Sequence, residues 1–157
     1  MQIDPELVSA LNKIDFLRRY KELSMEFRFD SKENFEKYSN EMVSAIISSF
    51  GMNPKYDKKE NFFKIIEYHG EYSFQFNLSF KFGYVTCIWD IKKKAERIGG
   101  GPWGVIGQLL SGNYYDLVPT PAFRNYDELK IILNRSFLIF KNFKDEVLRS
   151  SAENNSY

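Results

Sequence analysis

The chain has 157 residues, with 22 basic and 21 acidic side chains, so its net charge is close to zero. This length is typical of one domain with its own core, and the balanced charge gives no general attraction to nucleic acid or to a membrane. A single cysteine excludes an internal disulfide framework, and with a single histidine it also excludes the usual zinc ligand sets.

The N-terminal segment does not resemble a signal peptide, because Met1–Glu6 has no basic region followed by an apolar stretch. No run approaches the roughly 18 apolar residues of a membrane-spanning helix. We therefore expect a cytoplasmic protein, with residues 1–150 as one domain and 151–157 as a flexible polar tail.

The first third of the chain is predicted to be helical. A helix begins near Pro5, and its buried stripe consists of Leu7, Leu11, Ile14 and Leu17. In residues 25–30 apolar and polar side chains alternate. This pattern is compatible with a short edge strand and with the fraying end of the helix, and both interpretations are kept. Ser31 is predicted to cap a second helix that ends at Gly51. Residues 53–61 are polar and are predicted to form a loop.

The strongest pattern lies in residues 72–82, where six apolar side chains alternate with five polar ones. Because side chains alternate between the faces of a strand, this segment predicts a half-buried antiparallel strand. Its polar row consists of Ser73, Gln75, Asn77, Ser79 and Lys81. Residues 62–68 and 84–91 predict the neighbouring strands. The predicted fold is α+β, with an antiparallel three-stranded meander and a possible fourth short strand packed against N-terminal and C-terminal helices.

The last third is predicted to contain two more helices. Gly99–Pro102 is expected to be a flexible joint, followed by a short helix over residues 102–110 and an irregular stretch over 113–124. Asn125 followed by Glu128 resembles a capping box. The core side of the last helix is predicted to consist of Leu129, Ile132, Leu133, Phe137, Phe140 and Phe143.

Cys87 and His69 are the residue types of a nucleophile and its base. The meander separates them, because their expected partners on the central strand, Phe80 and Tyr72, are eight residues apart, or roughly 26 Å. Cys87 is therefore interpreted as a core residue.

Gly99, Gly101 and Gly104 match the spacing of a dinucleotide-binding loop. That loop joins a parallel strand to a helix, whereas the strand here closes an antiparallel meander and Pro102 lacks a backbone donor. The alternatives are a joint before a helix, or a contact loop with an exposed Trp103 as its anchor.

The densest basic cluster consists of Lys92, Lys93, Lys94 and Arg97. Together with Trp103 it could bind single-stranded nucleic acid by charge and stacking. The ordinary interpretation is a solvated strand end, which we favour.

Asp90 and Lys92 form a D-x-K pair on one strand face, as in restriction-type nucleases. Such enzymes need a second acidic ligand on the neighbouring strand, where the sequence offers Gln75 and Asn77. Glu67, on the first strand, is a poor substitute. The missing carboxylate argues against a hard-metal site, so a metal-dependent nuclease is kept as the alternative function.

The polar row of the central strand is either ordinary solvated sheet or a hydrogen-bonding platform for a protein partner. We predict that a partner docks across this row and the adjoining region. The predicted contacts are Ser73, Gln75, Asn77, Ser79, Lys81, Lys92, Lys93, Arg97 and Trp103.

The segment Pro121–Leu129, leading to Phe143-Lys144, is similar to the last helix of several bacterial immunity proteins of polymorphic-toxin and contact-dependent growth inhibition systems. The chain also resembles them in format, since it is small, α+β and rich in aromatic residues. The resemblance implies a non-catalytic protein that neutralises a cognate toxin by tight association, without cofactor, metal, small-molecule substrate, nucleic acid or membrane. It assigns no residue roles, and the near-neutral charge departs from the acidity of many nuclease-neutralising members.

Overall fold

The computed structural model describes residues 3–154. The helices are α1 (Pro5–Lys13), α2 (Phe16–Glu26), α3 (Asn40–Ser49), α4 (Trp103–Ser111) and α5 (Tyr126–Asn154). The strands are β1 (Lys55–Asp57), β2 (Phe62–His69), β3 (Tyr72–Ser79), β4 (Thr86–Lys93) and β5 (Glu96–Pro102). They form one antiparallel sheet in chain order. The predicted α+β class is confirmed, with five strands where three and a possible fourth were expected.

The helices pack against one face of the sheet, and the core lies between them. Phe76 in the middle of β3 is fully buried, and its ring centroid lies 4.8 Å from that of Phe140 on α5. Trp89 on β4 stacks on Phe143 with a centroid distance of 4.4 Å. The residues predicted as the core side of the last helix are all buried. Aromatic pairs of this kind stabilise the fold beyond the apolar area that they bury.

The predicted first helix is divided into two. Asp15 adopts a left-handed conformation with φ 58°, which ends α1 and starts α2 in a new direction. For residues 25–30 a short edge strand and a fraying helix end were both predicted as possible. The helix end is correct, because α2 continues to Glu26 and residues 27–30 form no strand. The predicted cap at Ser31 is wrong. α3 is capped by Ser39, whose hydroxyl accepts a hydrogen bond from the Met42 N–H at 3.3 Å.

The glycine run predicted as a flexible joint is part of β5. A Cβ on Gly99 would lie 2.8 Å from Cδ1 of Leu7 on α1. At Gly100, where φ is +144°, it would lie 2.2 Å from the carbonyl oxygen of Trp89. The glycines therefore allow close approach of α1 and β4 to β5, which is a packing role. The predicted loop over 53–61 is also corrected, because it contains β1.

The last helix is capped as the sequence predicted, and Asn125 Oδ1 accepts a hydrogen bond from the Glu128 N–H at 2.8 Å. The Glu128 carboxylate accepts from the backbone N–H of Arg124 rather than from that of Asn125. α5 continues to Asn154, so residues 151–154 of the predicted tail are helical, and 155–157 lie outside the described residues. Within residues 3–154, no helix combines the length and apolarity needed to cross a bilayer.

Candidate protein-binding face

The face of the sheet opposite the helices, here called the open face, presents side chains from all five strands, with Lys55 of β1 opposite Lys64 of β2. Strand register aligns these side chains in rows across the sheet. The rows are Tyr68–Ser73–Lys92–Arg97, Ile66–Gln75–Asp90 and Lys64–Asn77–Ile88, followed by Ser79–Thr86. Neighbours within a row have Cβ atoms about 4.5–5.5 Å apart. The rows therefore bring residues distant in sequence into one continuous surface.

Few polar groups of the open face are paired with each other. Gln75 Nε2 donates to Asn77 Oδ1 at 3.1 Å, and Arg97 Nε donates to Asp90 Oδ1 at 3.1 Å. Within the described part of the chain, the Ser73 hydroxyl makes no hydrogen bond and Lys92 makes no ion pair. The face thus retains both donors and acceptors that a partner can bind.

Six of the nine predicted contact residues lie on the open face, namely Ser73, Gln75, Asn77, Ser79, Lys92 and Arg97. Lys81 is exposed in the short 3₁₀ turn that follows β3. The remaining two, Lys93 and Trp103, do not lie on the open face.

Lys93 points to the helix-facing side of the sheet, because it follows Lys92 on a strand. Its Nζ lies 5.3 Å from the centroid of the Tyr72 ring and 3.8 Å from a Glu6 carboxylate oxygen. Tyr72, together with the carboxylates of Glu6 and Glu71, raises the pKa of the Lys93 ammonium. These contacts give Lys93 a local structural partner, so it is not part of the open face.

Trp103 is not exposed, which corrects the predicted anchor. Only 1% of the residue is accessible, and its ring contacts Phe16, Tyr20, Phe76 and Trp89. Because β5 passes directly into α4, Trp103 begins that helix inside the core. It is therefore unavailable to a partner in the folded chain.

An exposed aromatic residue that the sequence reasoning missed is Tyr68, which is 76% accessible. It lies opposite Ser73 and is accompanied by Ile66, which is 38% accessible. The signal was present, because a strand over 62–68 with Phe63 and Ile65 in the core must place Ile66 and Tyr68 on the other face. Tyr68 supplies the exposed aromatic side chain that was expected from Trp103.

Cys87 and His69 are separated, as predicted. Cys87 pairs with Leu78, two residues from the expected Phe80, while His69 pairs with Tyr72. These partners are six residues apart on β3, or roughly 20 Å. Cys87 is 4% accessible, and burial raises the pKa of its thiol. The interpretation of Cys87 as a core residue is confirmed.

Asp90 lies opposite Gln75, so the neighbouring strand places an amide where a nuclease of the D-x-K type has a carboxylate. Glu67 is on the helix-facing side, where it forms an ion pair with the buried Lys144 of α5. Among residues 3–154, no three histidine, cysteine, aspartate or glutamate residues form a group that could hold a metal ion.

No protein-family model, curated protein or solved structure matches this chain.

Proposed function

We propose that this chain is a non-catalytic binding protein whose open face docks a protein partner. The partner is a bacterial toxin, which the chain neutralises by tight association, as the resemblance to immunity proteins implies. The observation that supports docking is the exposed Tyr68 beside the largely unpaired polar rows of β3 and β4. An amphipathic aromatic anchor within a hydrogen-bonding surface is typical of protein interfaces.

The parts of the open face would contribute in different ways. Tyr68 offers apolar area and a hydroxyl at a low cost in conformational entropy. Gln75 and Asn77 offer donors and acceptors near the centre, and Lys92 offers a positive charge at the hairpin end. In this arrangement the aromatic side chain provides affinity and the polar rows provide specificity.

The size of the open face also bears on how a partner docks. β2–β5 cover roughly 15 Å by 25 Å at strand spacings of about 4.8 Å and a rise of about 3.3 Å per residue. This is about half of the roughly 800 Å² that each partner contributes to a standard interface. A toxin bound here therefore extends beyond the open face, over an edge of the sheet.

The test is an affinity series with the product of the gene immediately upstream, since immunity genes of this class adjoin their toxin genes. Tyr68→Ala is expected to weaken binding by about 2 kcal/mol, or roughly 30-fold. Gln75→Lys and Asn77→Glu are expected to weaken it by clash and unpaired charge. Melting curves should show that all three variants remain folded.

Matched controls lie elsewhere on the surface. Tyr114→Ala removes an 82% accessible tyrosine from the segment between α4 and α5. Asn12→Lys adds the charge of the Gln75 variant to an exposed position of α1. Both are expected to bind like the unmodified chain. If the three open-face variants also do so, the surface is wrong, and if the upstream product does not bind at all, the immunity proposal should be abandoned.

A further inference from the structure

The edge of the sheet at β2 is only half covered. β1 pairs with β2 at Phe62, Phe63 and Lys64, where its register ends with Lys55 opposite Lys64. β2 continues to His69 and stays paired with β3 on its other side. Among residues 3–154, no strand lies beside the second half of β2, and we call residues 65–69 the free edge.

The backbone groups at the free edge can be assigned from the register. His69 and Tyr72 flank a two-residue turn, in which Gly70 has φ 61°, so these two residues exchange hydrogen bonds. Hydrogen-bonded pairs alternate along an antiparallel ladder. The N–H and C=O groups of Ile66 and Tyr68 consequently point away from β3. Within residues 3–154, neither residue has a backbone hydrogen bond on that side.

Two cavities adjoin the free edge. A cavity of about 310 Å³ is bordered on the open face by Lys55, Lys64, Ile66 and Tyr68, and it also touches Ile65 and Glu67, which face the helices. A cavity of about 480 Å³ on the helix-facing side is bordered by Phe50, Phe137, Leu138 and Leu148. Gly51, Met52 and Glu67 line both cavities, so the two meet at the edge.

The two cavities differ in chemical character. On the open-face side, Lys55 and Lys64 lie directly opposite each other, and like charges in that position destabilise a sheet. Neither lysine forms an ion pair within the described residues. This side favours a carboxylate. The helix-facing cavity has charged residues at its border, but they are paired with each other, Glu67 with Lys144 and Lys141 with Asp145. Its two phenylalanine and two leucine side chains therefore favour an apolar group.

We propose that an extended segment of the protein partner adds to the free edge as a sixth strand, directing acidic side chains towards Lys55 and Lys64 and apolar side chains into the helix-facing cavity. Side chains of a strand alternate between faces, so a segment of alternating acidic and apolar residues satisfies both cavities. Its main chain would pair with Ile66 and Tyr68. A second copy of this chain is disfavoured, because it would bring the same lysines to the edge.

This inference rests on the proposed function, because it names the part of the partner that continues the interface over the edge. Its test needs no toxin. The full chain is titrated with a capped six-residue peptide of alternating glutamate and leucine while backbone amides are followed by NMR. The amides of Ile66 and Tyr68 should shift and their hydrogen exchange should slow. A peptide with lysine in place of glutamate should bind at least tenfold more weakly.

Charge reversal on the protein provides the second arm. Lys64→Glu is expected to weaken binding of the glutamate peptide at least tenfold. Lys59→Glu, the same change in the exposed turn between β1 and β2, should leave it unchanged. The proposal is overturned if no β2 amide responds, or if both peptides bind equally well. Dimerisation of the peptide-free chain through β2 would assign the edge to a second copy and would equally overturn it.

The two proposals can fail separately. A negative peptide titration would not contradict the affinity series on the open-face variants. Failure of the upstream gene product to bind would not contradict a positive peptide titration.

Discussion

Replacement of Trp103 by alanine distinguishes a core role for this residue from a contact role. The side chain is surrounded by four aromatic rings. Its ring centroid lies 4.9 Å from that of Trp89, 5.3 Å from that of Phe16, and 5.5 Å from those of Tyr20 and Phe76. Alanine would leave a cavity among rings that cannot all collapse into it.

The expected loss of stability follows from the buried area. A buried tryptophan removes roughly 150–250 Å² from water, which at about 25 cal/mol per Å² corresponds to about 4–6 kcal/mol. This is an upper bound, because unfolded chains are partly compact, and measured Trp→Ala costs of 3–5 kcal/mol agree with it. We expect about 4 kcal/mol, which lowers the melting temperature by roughly 8–16 °C in a chain of this length.

Trp103→Phe should cost less than half as much. The Nε1 group of Trp103 has no hydrogen-bond partner within the described residues, so phenylalanine loses volume but no hydrogen bond. The assay is urea denaturation followed by far-ultraviolet circular dichroism. Tyr114→Ala, at an exposed aromatic residue, should stay within about 0.5 kcal/mol of the unmodified chain. If Trp103→Ala leaves the free energy of unfolding unchanged and weakens partner binding, the buried position of Trp103 is wrong.

Three further predictions can be checked by the same denaturation assay. Phe76→Ala should cost roughly 3–5 kcal/mol by cavity formation, and a value near zero would contradict its place at the centre of the core. Gly100→Ala should destabilise by about 1–3 kcal/mol or more through its positive φ and its contact with a carbonyl oxygen, whereas Gly104→Ala on helix α4, with no contact closer than 3.6 Å, should be neutral or stabilising. The hydrogen-bonded Arg124 lowers the pKa of Glu128, so the stability from this carboxylate is complete above its unfolded pKa and is lost as the pH falls through the folded pKa. Glu128→Gln should remove that part of the acid dependence, and an unchanged pH profile would contradict it.

The elements that could be predicted from the sequence are those with a local, periodic signal. The alternation in β3 and the helical spacing in α5 each specify which side is buried, without reference to any other segment. β1 and β5 could not be predicted in this way. β1 has only three residues, and β5 contains three consecutive glycines, which have no side chains to alternate. Both depend on pairing with a distant neighbour, which a local pattern does not contain.

For the open face, too, only the side-chain orientations with a local periodic signal could be predicted. The orientation of Ser73, Gln75 and Asn77 follows from the period of β3 alone. The exposure of Trp103 does not, because it depends on the direction in which α4 leaves β5. The outward orientation of Tyr68 could be predicted from the period of β2 in the same way. The pattern of β2 is less regular than that of β3, because Ile65 and Ile66 are both apolar and only one of them can face the core.

Tyr68 connects the two proposals, because its side chain belongs to the open face and its backbone belongs to the free edge. Tyr68→Ala removes the aromatic anchor but keeps the N–H and C=O groups that pair with an added strand. It should therefore weaken binding of the proposed partner while the amide of Ile66 still responds to the glutamate peptide. Lys64→Glu should have its largest effect on binding of the glutamate peptide, because it reverses a charge beside the free edge and leaves the Tyr68 side chain in place. If the two variants impair both measurements to the same degree, the open face and the free edge form a single site, and the division of roles between them is wrong.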